Sequence, residues 1–469
     1  MLVHTGCSKK EKASTRSRSP ILLFAIDGLE WRVMKPLIES GQLPVIEGLM
    51  RKGSYGYLKS LYPTFSPLIW TSIATSKNAS KHGILNFVYE DTPEGPRGDV
   101  SIHTMRETVG SETKRYRSYT SGHRKTKALW NILSDFGLSV NCIGWWTTYP
   151  AEPINGVMVS QTNTTETLRN PQEALFKGTL LKGVEDQVYP PDRQNHMMDL
   201  LEEVDDNFDQ IIEETFGKFP HPADDFGQQK WDQTQWAFRA DAMYVRIARD
   251  ILESGQPFDL FAIYIAGTDV AAHRFWRHKY PDQYVHPPDG EQIENFGHVI
   301  DDEYKYVDRV IGQMLALAPP DAGVIIVSDH GMHTINNDRV FRKDDPPSES
   351  LSAHHQDAPP GVIIASGGPF KSPPTGAATA LDLDTLIPLG GVLDVLPTIL
   401  AVKGIPIGKD MDGTPIRGII DFEKLGQHEI RYIPTHDTQE WLAAQPNRIR
   451  EAVDDNERLE QLRALGYIR

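Results

Sequence analysis

"FDLFAIYIAGTDVAAH", residues 258–273, carries two periodicities back to back. Its first part is a continuous apolar and aromatic run, without alternation, that ends abruptly in polar residues at Asp269. Such a run suits a strand buried on both faces, as in a parallel sheet. After Gly267 the pattern changes. Asp269 and His273 are four residues apart, a spacing that sets both on one face of a helix. A strand feeding a helix, with polar chemistry at the junction, is the repeating unit of a doubly wound α/β fold.

The same unit recurs along the chain. "ILLFAID" (21–27), "LSVNCIGWW" (138–146), "AGVIIVSDH" (322–330) and "GVIIASGG" (361–368) are further apolar runs that end abruptly. Helical patterns lie between them, in "WRVMKPLIESGQLPVIEGLMRKG", "TKALWNILSDFG" and "VIDDEYKYVDRVIGQMLALAP". The expected fold is α/β, with a doubly wound, mostly parallel central sheet flanked by helices. In such folds ligands bind beyond the carboxyl ends of the strands. Three of the runs end at an aspartate there, namely Asp27, Asp269 and Asp329.

Composition bounds the function. The chain has 469 residues and a net charge of -16. That balance argues against nucleic-acid binding, because a phosphate backbone attracts basic surfaces. Two cysteines, Cys7 and Cys142, support neither a disulfide framework nor a thiolate zinc site. Residues 1–19 read as a flexible tail. "TGC" before Ser8 resembles the end of a bacterial lipoprotein signal, although the apolar segment that precedes such a cysteine is missing. The expectation is an exported envelope protein whose only membrane contact is a lipid on Cys7. Residues 20–425 read as the main α/β domain, with polar insertions at about 91–125 and 160–235 that suggest a cap over the sheet edge. Residues 426–469 read as an extension ending in a helix.

The candidate ligands gather at the strand ends. "TDVAAH" offers Asp269 and His273, "VSDHGMH" offers Asp329 and His330, and "LSAHHQDAPPGVII" offers His354 and His355 just before a strand. With Asp27 they form a pool of oxygen and nitrogen donors without thiolate. That donor set suits two divalent ions, Zn2+ first and Mn2+ second. In "YPTFSPLIWTSIATSKNASKHGI" (62–84), Ser66 precedes Pro67 and an apolar helical run. Ser at the N-cap with Pro at the first helical position is a common helix start. The same place would also suit a hydroxyl held at a helix N-terminus because it attacks something.

Taken in order, strand–Asp27, Ser-Pro helix, strand–TDxxxH, strand–SDHG and His–strand resemble the alkaline phosphatase superfamily, and most of all its type I phosphodiesterase/nucleotide pyrophosphatase branch. The motifs that carry this are "AIDGLEW", "WTSIAT…HGI", "TDVAAH", "SDHGM" and "GVLDVLPTIL", across about residues 20–420. The resemblance implies a phosphoester hydrolase with two metals and a covalent phospho-Ser/Thr intermediate. It implies Asp269 and His273 on the first metal, with a histidine before the last strand, His355 by the spacing of "HQDAPPG", beside His354. It implies Asp27, Asp329 and His330 on the second. Counting back from Thr75 in "IATS" makes Ser66 the nucleophile rather than Thr64, with Ser76 standing where the family has glycine.

Other expectations concern substrate. Asn86 in "HGILNF" is a candidate phosphate contact, one position from the usual spacing, and equally a turn residue. Arg124, Lys125 and Lys127 in "GHRKTKALW" are candidate rim cations for a second phosphate charge. Monoester against diester preference stays open, as does transfer to an organic acceptor. A sulfatase would need x-Pro-x-Arg after the nucleophile, and "SPLIW" lacks it. A non-catalytic binding protein on this fold is disfavoured, because every implied ligand and Ser66 are present.

Overall fold

The computed structural model describes residues 19–449 apart from 93–94, 99–114, 162–179, 182–183, 222–224, 336, 343–350, 374–380 and 427–428. The tail with Cys7 and the helix expected at the C-terminus lie outside the described residues.

Among the described residues, nine strands form the central sheet. In chain order they are β1 (Ile21–Ile26), β2 (Gly53–Lys59), β3 (Val140–Ile143), β4 (Gly156–Val159), β5 (Val188–Tyr189), β6 (Leu260–Ile265), β7 (Gly323–Val327), β8 (Gly361–Gly367) and β9 (Pro388–Gly391). Their spatial order is β9-β2-β8-β7-β1-β6-β3-β4-β5. The block β7-β1-β6-β3-β4 is parallel throughout. β8 runs antiparallel to both its neighbours, and β5 closes one edge antiparallel to β4. A run buried on both faces looks the same in either direction, so the reversal at β8 is invisible in "GVIIASGG".

Both faces of the sheet are covered. Along β1, Leu22, Phe24 and Ile26 enter one core, while Ile21, Leu23 and Ala25 enter the other. The period-2 pleat does this, and it explains why the strand reads as apolar without alternation. The first core is closed by α1 (Trp31–Glu39), α2 (Pro44–Lys52), α4 (Gln235–Glu253), α5 (Gly267–Lys279) and α6 (Val299–Leu317). The second is closed by α3 (Ser66–Thr75) and α7 (Val395–Lys403), with a shorter helix at Leu129–Asp135. In α6 the buried residues Val299, Ile300, Tyr304, Val307, Val310, Ile311 and Met314 follow the 3.6-residue period.

The described part of the second insertion includes two helices. Its helices Gln194–Asp206 and Phe208–Phe216 pack against α4 and α6 in the helical layer. Met197, Leu200, Leu201 and Val204 form an apolar stripe that needs such a partner.

Register positions the site. Ile26 pairs with Ile265 and Ala25 with Val327, so β1, β6 and β7 end at one edge. Because β8 is reversed, the chain enters it at that same edge. β2 ends there too, seven residues before Ser66. Gly28, with φ +66, makes the turn out of β1, and a side chain there would meet the backbone of Asp269 at 2.9 Å. Only glycine allows β1 and α5 to approach so closely.

Candidate active site

Asp27, the first residue past β1, is 2 % exposed. Its Oδ2 accepts the Trp70 indole N–H at 3.0 Å and the Tyr264 hydroxyl at 2.5 Å. Its backbone carbonyl accepts the Thr268 hydroxyl. Oδ1 faces the neighbouring strand ends, 3.4 Å from His330 Nε2.

Asp269 and His273 lie on the first turns of α5, with Oδ2 and Nε2 3.5 Å apart. No side chain of its own caps this helix. Asp241 of α4 does so instead, accepting the N–H groups of Ala266 and Gly267 at 2.9 and 2.7 Å. Those donors are among the four that a helix start leaves without intrahelical partners.

Asp329 and His330 are adjacent, yet both reach the site. Ser328 folds the chain out of β7, its hydroxyl accepting Leu29 N–H at 2.8 Å and donating to the His330 carbonyl at 2.9 Å. Asp329 Oδ2 then stands 3.2 Å from His330 Nε2. Burial holds the Asp329 carboxyl well above the usual range, and the nearby charges of Asp27 and Asp269 push the same way.

All three histidines present the same nitrogen. His273 Nδ1 meets the Ala353 carbonyl at 2.8 Å, and His330 Nδ1 meets the Gly331 carbonyl at 3.1 Å. A carbonyl only accepts, so each Nδ1 carries the hydrogen. Thr64 reaches the same result for His355. Its one hydroxyl hydrogen goes to the His355 carbonyl at 2.9 Å, so the oxygen accepts from His355 Nδ1 at 3.1 Å. Each neutral ring then carries no hydrogen on Nε2, whose lone pair faces the site. Burial drives His273 down to about 4, and drives His355 well below its usual value with help from His330 and His273. His273 and His355 are therefore neutral.

These donors converge. Ligand atoms of Asp269, His273 and His355 lie within 4.8 Å of one another, as do those of Asp27, Asp269 and His330. The rings of His330 and His355 stack at 4.0 Å. Buried acceptors facing one another without hydrogens between them repel, and a cation removes that penalty. The residues thus fit divalent ions, and imidazole Nε2 atoms oriented through Nδ1 are the usual form of such ligands. His354 lies outside both groups and packs its ring on His333 across a short ladder at 4.3 Å.

Ser66 opens α3. The N-cap is Phe65 rather than Ser66, because Ile69 N–H already bonds the Phe65 carbonyl, and Pro67 is the second helical residue. The Ser66 hydroxyl is fully buried and has no hydrogen-bond partner among the described residues. Its segment is clamped on both sides, with Thr64 bonded to His355 and Trp70 bonded to Asp27. Ser76 ends the helix at φ 55. That left-handed conformation explains why glycine would suit the position.

Two of the three expected rim cations are placed otherwise, while Lys125 is exposed. Arg124 is 1 % exposed and donates to both carboxylate oxygens of Glu152, at 2.9 and 2.7 Å, while stacking on Trp130. Lys127 is buried and pairs with Asp135 at 2.7 Å. Both charges serve the fold, because burying either unpaired would cost far more than a surface position. Asn86 is buried, and its side-chain oxygen accepts the N–H of Phe87 at 2.8 Å, a turn bond. Trp70, Tyr264, Asp241 and the locking role of Thr64 were missed in the sequence. The one available signal was Trp70 at four residues after Ser66, on the same helix face.

A model of the family described as type I phosphodiesterase / nucleotide pyrophosphatase matches residues 21–377. Among solved structures, a phosphonoacetate hydrolase from Sinorhizobium meliloti 1021, in complex with phosphonoacetate, aligns at 14% identity and a TM-score of 0.35. The alignment covers 68% of this chain and 57% of that one, so this chain spans little more than half of that protein's length. No curated protein matches.

Proposed function

The chain belongs to the type I phosphodiesterase / nucleotide pyrophosphatase family, and from that premise we propose that it is a phosphoester hydrolase of the alkaline phosphatase superfamily, that Ser66 is its nucleophile and that two divalent ions, Zn2+ first, assist it. Asp269, His273 and His355 would hold one ion, and Asp27, Asp329 and His330 the other. The observation that carries this reading is the convergence of buried carboxylate oxygens and histidine Nε2 atoms beside a buried hydroxyl that bonds nothing among the described residues.

Bound ions of this kind supply Lewis-acid stabilisation of phosphoryl oxygens and lower the pKa of a nearby hydroxyl or water. Ser66 Oγ forms a bond to phosphorus while the bond to the leaving oxygen breaks, and the hydroxyl proton passes to solvent. Water then cleaves the phosphoserine, releasing phosphate product and restoring Ser66. The N-terminus of α3 favours the anionic phosphoryl group. A diester is the preferred substrate in this reading. Of the three cations singled out for a second phosphate charge, Arg124 and Lys127 are engaged by Glu152 and Asp135, and Lys125 is exposed. The protein would be exported and tethered through Cys7, which mass spectrometry of the native N-terminus tests.

The decisive experiment loads the protein with Zn2+ or Mn2+ and offers it p-nitrophenyl phosphate, bis-p-nitrophenyl phosphate and p-nitrophenyl sulfate, beside Ser66→Ala and Thr64→Ala. Turnover of the diester is expected, lost on chelation and in Ser66→Ala. Full activity in Ser66→Ala with loss in Thr64→Ala would overturn the nucleophile. Activity indifferent to chelation would overturn the two-ion site.

A further inference from the structure

Asp27 offers the ion site one oxygen only. Its other oxygen, Oδ2, is committed to two donors, the Trp70 indole N–H at 3.0 Å and the Tyr264 hydroxyl at 2.5 Å. Trp70 is fully buried and Tyr264 is 2 % exposed, so neither bond competes with water.

Trp70 is itself held firmly. Its ring meets those of Trp145 and Tyr264 edge-on, each at 5.3 Å between centroids. The Trp145 indole N–H donates to the Trp70 carbonyl at 3.1 Å. Trp70 also stands one helical turn after Ser66 on the same face of α3. One side chain therefore links the helix that bears Ser66 to the carboxylate at the end of β1. Tyr264 makes the matching link from β6, the strand that feeds Asp269 and His273.

We propose that Trp70 and Tyr264 are positioning residues that pin Asp27 Oδ2, aim Oδ1 at the ion site, and set where Ser66 stands relative to it. The proposal rests on the ion-binding reading above. A carboxylate torsion is soft on its own, with broad wells about χ2. Two donors on one oxygen remove that freedom, and no other described side chain donates to Oδ2.

Metal-free wild type, Trp70→Phe and Tyr264→Phe would be titrated with Zn2+ by calorimetry, with a competing chelator to extend the range. Urea unfolding of the metal-free forms and steady-state kinetics on bis-p-nitrophenyl phosphate would accompany it. Each variant should bind Zn2+ about 10- to 100-fold more weakly, the usual effect of losing an outer partner of a ligand. In each, kcat should fall at saturating Zn2+ while KM holds. Tyr264→Phe keeps its ring and deletes one oxygen, so it decides the matter if Trp70→Phe fails to fold. Wild-type binding with unchanged affinity in both variants would overturn this proposal and leave the ion site standing. No Zn2+ binding by the wild type would overturn the ion reading and this proposal with it.

Discussion

Replacing Ser66 by alanine should raise stability while ending turnover. Its hydroxyl is fully buried and bonds nothing among the described residues. Such a group costs about 1–3 kcal/mol in the folded state. Alanine keeps the Cβ and removes only the oxygen, so the variant should gain about 1–2 kcal/mol after a small loss of packing. Ser72, on the same helix and equally buried, is the control. Its hydroxyl donates to the Leu68 carbonyl at 2.9 Å and stands 3.0 Å from His82 Nε2. Ile84 N–H already occupies His82 Nδ1, so the His82 hydrogen sits on Nε2 and points at Ser72. Ser72→Ala strands that hydrogen and should lose about 1–3 kcal/mol. Urea unfolding of the two metal-free variants at one pH would compare like with like, since both make the same change in the unfolded chain. Turnover should fall at least about 1000-fold in Ser66→Ala. A loss of stability beyond about 1 kcal/mol in Ser66→Ala would give the hydroxyl a structural partner and refute the reasoning.

Asp241→Ala should cost about 2–4 kcal/mol in urea unfolding, because it leaves the N–H groups of Ala266 and Gly267 without their acceptor. Burial pushes the Asp241 carboxyl from 3.8 up to about 7. The folded state thus holds that proton more tightly than the unfolded chain. Its contribution to stability is present below 3.8 and is lost as pH rises through about 7. Asp241→Asn should flatten that part of the stability–pH profile, and an unchanged slope would count against the protonated carboxyl. Arg124→Ala should destabilise by about 3–5 kcal/mol, since it strands the buried Glu152 carboxylate. The kcat/KM of the folded fraction should hold, and a selective loss of turnover on monoesters would return Arg124 to the site.

Much of the architecture was legible because burial on both faces leaves a mark in the chain. "ILLFAID", "FDLFAIYIAGTD" and "AGVIIVSDH" lack alternation for the reason the structure shows, two cores on either side of one sheet. Their terminal aspartates then had to share an edge, because parallel strands in register end together. The direction of β8 was not legible, since a strand buried on both faces has no polarity in its composition. The boundary at Ser66 was not legible, because a Ser-Pro pair fits the N-cap and the first helical turn alike.

By itself, then, the sequence determined the strand–helix order, the family resemblance and the pool of candidate ligands. Those follow from local periodicity and from spacing along the chain. Only the tertiary structure decided which atoms meet. The reversal of β8 brings His355 rather than His354 into the group with Asp269 and His273. The turn at Ser328 lets two adjacent residues share a site, and Trp70 and Tyr264 choose which oxygen of Asp27 is offered. It was burial, too, that turned Arg124 and Lys127 from expected rim cations into paired interior ones. Desolvation and side-chain direction depend on residues hundreds of positions apart, as between Thr64 and His355, and no local pattern records them.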